Sequence, residues 1–320
     1  MWNLTKPYLL AFKRLIKDIR YFFHSSLYSL TKKGVGKNPT VRLHKKGLPS
    51  NYSRPVCFFS SYDKESIVRK SVYYYLNEII QAGFDIVFIS TSDAITDEDL
   101  KKLSACCVTV INRENSGIDF YSWKTGLEKY QNFNMHTALL LANDSVLGPV
   151  FSIKNIINRL EKYDADIVGM TDSFMMRPHL QSYFIFCKKN VVLSAEFRRF
   201  FHGVTVLGSK EAYIRECEIN FYHLMTQKFH IAALYPIETI MAKIKRHPAE
   251  GKYYEAESKN YLRHKQTIDP MGHLWRHYIA EYKFPFVKKN LITLGKTDNE
   301  EILKILSENG STYNASILTT

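Results

Sequence analysis

The chain has no apolar run of about 18 residues, which excludes a conventional transmembrane helix. It also has no glycine-rich phosphate loop and no dinucleotide fingerprint, which argues against a P-loop NTPase or an NAD enzyme; Gly203 and Gly208 are too sparse to make one. Cysteine is scarce: there are five (Cys57, Cys106, Cys107, Cys187, Cys217), an odd number with no pair at metal-ligand spacing. That usage fits buried small hydrophobes in a reducing compartment better than a disulfide framework or a zinc site. A secretory signal is missing too, because charges interrupt the first apolar stretch and no small-residue cleavage site closes it, so a cytoplasmic protein is expected. Finally, acids are nearly absent from residues 1–50, where eleven Lys or Arg face only Asp18 and supply +10 of the formal net charge of +13.

That imbalance separates a basic leader, residues 1–50, from a body that is close to neutral. Leu9, Phe12, Ile16, Ile19 and Phe23 recur at three- and four-residue spacing, with Lys13, Lys17 and Arg20 on another face. The pattern fits a helix lying on an anionic membrane surface, and an ordinary helix docked on the core is the competing reading. The body shows no basic, aromatic-interleaved face, so no nucleic-acid partner is expected. Gly34, Gly36, Pro39, Gly47 and Pro49 mark residues 31–54 as a linker, and the folded domain is expected to start near Pro55.

From there strand and helix signals alternate. Strands are expected at 56–60, 85–90, 107–111, 137–142, 165–170, 181–187 and 229–235, the last at an edge, with helices at 66–82, 96 onward, 120–129, 155–163 and 210–227. The strands are β-branched-rich and do not alternate, as in a sheet covered on both faces. The fold class is therefore α/β, a Rossmann-like and mostly parallel sheet flanked by helices. Residues 55–240 form the main domain and 241–320 a helical C-terminal extension packed on it.

In such a sheet the polar residues that end the strands gather at one edge, where ligands bind. These are Ser60, Tyr62 and Asp63, then Ser90 and Thr91, then the loop Arg113 to Asp119 with Asn115 and Gly117, then Asn143 and Asp144 at the tip of an apolar run. Asp144 also has a bland reading as a turn cap. Hydroxyls and carboxylates there suit a nucleoside base and ribose, and Arg113 and Lys124 are cations able to face a diphosphate. His179, Gln181 and Ser182 are expected to touch an acceptor or a phosphate. His273 and His277, without a third ligand, make a weak metal pair.

Ser61-Tyr62-Asp63, the loop Arg113-Glu114-Asn115-Ser116-Gly117-Ile118-Asp119-Phe120, Leu141-Ala142-Asn143-Asp144-Ser145 and His179-Leu180-Gln181-Ser182-Tyr183-Phe184 together resemble the rhamnan synthesis protein F family. The segment from Asp269-Pro270 to Phe284-Pro285-Phe286-Val287-Lys288 resembles it as well. These are glycosyltransferase-like proteins of bacterial polysaccharide assembly. The order of elements is similar to the GT-A glycosyltransferase fold, in which an acidic strand-end motif holds a divalent cation under the sugar-nucleotide diphosphate. By position Asp144 matches the last acid of that motif, while Ala142 stands where the first would be. The resemblance implies Mg²⁺ or Mn²⁺ on Asp144, the substrate diphosphate and water.

It also implies a carboxylate base near the start of a helix that precedes an aromatic-rich strand. Glu218 is the first candidate, Glu216 the second and Asp172 the third, each with a structural alternative as a helix-face or turn residue. The function so implied is transfer of L-rhamnose from dTDP-L-rhamnose to a lipid-linked polysaccharide, with inversion, by a protein held peripherally at the inner face of the plasma membrane. The alternative is a noncatalytic relative that docks other polysaccharide-assembly enzymes there.

Overall fold

The structure is a computed structural model that describes residues 36–246 and 268–318. The leader helix expected between Leu9 and Phe23 and the polar, Tyr-rich stretch 247–267 lie outside the described residues.

Continuous apolar runs produce the sheet, because a strand buried on both faces has no solvent side on which to alternate. β2 (Val56–Ser61), β3 (Asp85–Ser90) and β5 (Ala138–Asn143) are buried throughout, as is β4 (Thr109–Arg113). With β1 (Val41–Lys46), β7 (Ile167–Ser173), β8 (His179–Leu180), β9 (Phe184–Lys188) and β10 (Ile231–Tyr235) they form a nine-stranded sheet. Its order is β1-β4-β3-β2-β5-β9-β7-β10, with β8 paired to β7. β4, β3, β2 and β5 run parallel, β9 is antiparallel to both neighbours, and β10 is parallel to β7. Six strands therefore point one way, as the GT-A-like reading requires. The chain leaves β2 toward β3 and β4 on one side and then returns to β5 on the other. This is a topological switch, and the crevice for a ligand opens outside the strand ends there.

Helices cover both faces. α1 (Lys70–Gln81) buries Val72, Tyr75, Leu76 and Ile79. α2 (Asp97–Ser104) starts where the Thr96 hydroxyl accepts the Asp99 N–H at 3.1 Å. α3 (Ile118–Lys129) lies against β2 and β3, and Gly126 is packed so closely that an added Cβ would come within 2.8 Å of Phe58 and Ile89. α4 (Ile153–Lys162) buries Ile153, Ile156, Ile157 and Leu160, the one-face pattern of its sequence. α5 (Ala195–Gly203) and α6 (Ile237–Arg246) follow, and α7 (Trp275–Tyr282) and α8 (Asn299–Glu308) belong to the C-terminal extension. In that segment Phe284 and Phe286 are wholly buried, and Phe286 meets Tyr75 and Phe184 at centroid distances of 5.2 and 5.7 Å. Its β11 (Val287–Lys288) pairs antiparallel with β6 (Val146–Leu147), just beyond the tip of β5.

Three expectations need correction. The sheet begins before Pro55, because β1 pairs with β4 inside the stretch read as a linker. An edge strand that buries only Val41 and Leu43 in part and exposes Arg42, Lys45 and Lys46 looks polar in sequence, and those cations blunt the edge. The helix expected over 210–227 is α-helical at Lys210–Tyr213 and Asn220–Met225, with a π-helical segment, Ile214–Ile219, between. The strand expected over 181–187 is split into β8 (His179–Leu180) and β9 (Phe184–Lys188), both paired with β7, and between them the Gln181 amide still donates to the Thr171 carbonyl at 3.0 Å.

Candidate active site

Strand register lines up the polar residues. Ser60 stands opposite Asn143, Ser61 opposite Ser90, and Ser90 opposite Asn112, which makes one row along the switch-point edge. Asp144 follows Asn143 past the end of β5, and its amide donates to the Ser60 carbonyl at 3.1 Å. Its Oδ2 accepts the Ser61 hydroxyl at 2.9 Å and the Tyr62 N–H at 3.3 Å. Asn143 Oδ1 accepts both the amide and the hydroxyl of Ser145, at 3.0 and 2.6 Å, which aims its Nδ2 at Asp119 Oδ2, 3.0 Å away. Burial raises the Asp144 carboxyl against the opposing pull of Lys289.

Asp119 sits in the first turn of α3. Burial pushes its carboxyl up to about 6; a hydrogen bond from Ser60 opposes the shift, and the charges of Asp144 and Glu218 reinforce it. Asp144 and Glu218 thus both lie near enough to Asp119 for their charges to act on it. Asp119 reaches the crevice because the chain turns sharply beforehand: Gly117 has φ +90° and Ile118 φ +44°. Only glycine adopts the first conformation without strain, and the second is unusual for a β-branched residue.

Glu218 lies on the π-helical segment, between the buried Cys217 and Ile219. Its Oε1 accepts the Ser182 hydroxyl at 2.5 Å, and its Oε2 is 3.6 Å from His179 Nε2. His179 Nδ1 lies 2.8 Å from the Arg177 carbonyl, which can only accept, so Nδ1 carries the proton and Nε2 faces the carboxylate. The Glu218 side chain is 20% exposed, so a substrate hydroxyl can approach it. Gln181 bridges Thr171 Oγ1 at 2.8 Å and Asp269 Oδ1 at 3.1 Å.

Other expected residues serve the frame. Arg113 is wholly buried and spends its five N–H donors on Ser122 Oγ and on the carbonyls of Glu114, Ser116 and Ile118. It shapes the Arg113–Asp119 loop and does not face a diphosphate; burial lowers its pKa to about 10. Lys124 Nζ donates to the carbonyls of His202 and Val204, at 3.0 and 2.9 Å, and so closes the end of α5. Asp172 Oδ1 accepts the Ile237 N–H at 2.7 Å and so caps α6. Glu216 pairs with the adjacent Arg215 at 2.8 Å. Asp63 is bound by Arg69 Nε at 2.6 Å; burial raises its carboxyl, but this bond and two backbone amides outweigh burial and leave it below the ordinary range. Ser90, the last residue of β3, and Thr91 just after it are buried, whereas Tyr62 and Asn115 are exposed.

Two residues without an expected role join the site. Lys289 Nζ stands 3.7 Å from Asp144 Oδ2, and Lys288 Nζ 2.9 Å from Asp269 Oδ2. The pairing of β11 with β6 delivers both lysines to the tip of β5. The signal in the sequence was the family-like Phe284-Pro285-Phe286-Val287-Lys288 stretch, which runs up to Lys289.

The donor set does not fit the expected Mg²⁺ or Mn²⁺. Such a cation wants several free oxygens, for Mg²⁺ at roughly 2 Å in octahedral array. Here Ala142 offers none, Asn143 has committed its oxygen to Ser145, and Asp144 Oδ2 is already hydrogen-bonded and faced by an ammonium. Among the described residues no group of three or more His, Cys, Asp or Glu could hold a metal ion.

Residues 86–265, more than half of the chain, match the model of the family described as rhamnan synthesis protein F. The chain is 28% identical over 182 residues to the uncharacterized protein y4gN of Sinorhizobium fredii, a match covering 55% of this chain and 47% of that protein. It is 30% identical over 234 residues to virulence protein VirA of Vibrio anguillarum, covering 70% of this chain and 74% of that one. It thus spans about half the length of the first relative and three quarters of the second. Among solved structures, S. aureus TarS residues 1–349 aligns over 79% of this chain and 80% of its own with a TM-score of 0.34 and 12% identity. The chain belongs to the rhamnan synthesis protein F family.

Proposed function

We propose that the protein is an inverting glycosyltransferase that moves L-rhamnose from dTDP-L-rhamnose to a lipid-linked cell-surface polysaccharide. The observation that carries the reading is Glu218, a partly exposed carboxylate held by Ser182 in the same cleft as Asp119 and Asp144 at the switch point of the sheet. An acceptor hydroxyl attacks the anomeric carbon, Glu218 takes the hydroxyl proton as the new C–O bond forms, and the nucleoside diphosphate leaves with the electrons of the old bond. Asp119 and Asn115 contact the donor sugar or ribose.

Among the described residues no helix is long and apolar enough to cross a membrane. The basic, amphipathic sequence of the leader supports a peripheral seat at an anionic leaflet, where a lipid-linked acceptor resides. The chain enters the body close to the cleft, since the Thr40 amide donates to Glu114 Oε2 at 2.8 Å in the loop that leads to Asp119.

The test is sugar transfer to membranes carrying the acceptor, with wild type beside Glu218→Gln. Loss of a general base lowers turnover by about 10²–10⁴-fold while donor affinity stays near wild type. Polymer synthesis that survives Glu218→Gln in cells would instead favour the noncatalytic docking role, for which the incomplete acidic motif at Ala142 and Asn143 is the supporting observation.

A further inference from the structure

The tip of β5 bears one carboxylate where the fold's acidic motif has more, and the C-terminal extension brings two ammonium groups to the same tip. Lys289 is fixed there by its own backbone, whose N–H donates to the Ser145 carbonyl at 3.0 Å, and by the pairing of Lys288 with Val146. The segment cannot drift, because Phe284 and Phe286 anchor it in the core.

At 3.7 Å from Asp144 Oδ2, Lys289 Nζ forms a loose ion pair with that carboxylate. An ammonium carries three protons and this one contact does not occupy them all, so with the side chain 32% exposed an oxyanion can reach the others. Lys288 is more tightly held, by Asp269, whose second oxygen accepts from Gln181. A polyanionic diphosphate entering this cleft meets Asp119 and Asp144, and it needs fixed positive charge to offset their repulsion and to stabilise the leaving group.

We propose that Lys289, with Lys288 beside it, supplies that charge, so that the site takes a nucleoside diphosphate without a divalent cation. The inference rests on the reading of the cleft as a nucleotide-sugar site. In it Asp144 is a positioning residue: it holds the Lys289 ammonium at the strand tip and is itself held by Ser61 and Tyr62. An ammonium is a compact point charge, and it does here what the fold's usual metal does elsewhere.

The experiment is calorimetric titration of the full-length protein with UDP, dTDP and GDP, each in EDTA and again in MgCl₂ or MnCl₂. Wild type is compared with Lys289→Met and Lys289→Arg, and thermal melts establish that each variant is folded. One nucleoside diphosphate is expected to bind with the same affinity, within about twofold, in chelator and in metal. Lys289→Met should weaken it by about tenfold or more, the loss of one charge-assisted contact, and Lys289→Arg should restore most of it. Binding that appears only with Mg²⁺ or Mn²⁺ would overturn the inference and leave the nucleotide-site reading standing. So would a folded Lys289→Met that binds as well as wild type. Binding of none of the three under either condition would sink the nucleotide-site reading and the inference with it. The chelator comparison needs no variant, so it decides the matter even if Lys289→Met fails to fold.

Discussion

Asp119 is kept from water more than it is compensated, and the consequence can be measured. Its carboxyl, raised to about 6 by burial, binds a proton in the folded protein at pH values where the unfolded chain has released it. Folding stability therefore falls as pH rises from the unfolded value near 4 through about 6, by up to about 3 kcal/mol from this one group. Asp119→Asn keeps an acceptor for Asn143 and removes the charge. It should melt higher than wild type at pH 8, match it near pH 4, and lose donor binding; an equal difference at both pH values would contradict this. At the residue scale the sequence showed which polar groups end the strands, so Ser60, Asp119, Asn143 and Asp144 were found at the cleft. It did not show which way a side chain turns. Arg113 and Asp172 carry charge that suits a substrate but point into the frame, because backbone carbonyls and a helix N-terminus there need partners. Lys289 was missed because it lies far along the chain from Asp144, and only tertiary packing joins them.

Among the elements, the turn before α3 has a backbone that admits little besides glycine at position 117. A Cβ on Gly117 would sit 2.6 Å from the Tyr121 Cβ, and the φ of +90° is itself unfavourable to any other residue. Gly117→Ala should cost about 1–3 kcal/mol in denaturant unfolding and, by shifting the first turn of α3, weaken donor binding through Asp119. A neutral effect on both would mean that the loop does not position the carboxylate. The buried strands were legible because an unbroken β-branched run has one cheap conformation between two helical layers. The edge strand β1 was not, since its polarity serves an exposed edge and mimics a linker. Nor was the π-helical segment, for its i→i+5 bonding leaves no periodicity in six residues, yet it is the element that sets Glu218 against Ser182.

At the scale of the whole molecule, topology decides where chemistry can occur: the return from β4 to β5 opens the crevice, and a segment from the far end of the chain closes one side of it through β11 and β6. Replacing Lys13, Lys17 and Arg20 with Gln in the full chain should reduce binding to phosphatidylserine vesicles by about a hundredfold, at about 1 kcal/mol per cation, with donor affinity unchanged. Unaltered vesicle binding would make the leader an ordinary packed helix. The central claim, that the cleft binds a nucleotide-sugar donor, is tested most directly by calorimetry of the purified protein with dTDP-L-rhamnose and with UDP- and GDP-sugars. The account predicts that dTDP-L-rhamnose binds and that the heat is lost in Asp119→Asn; silence across the panel from protein shown to be folded would contradict it.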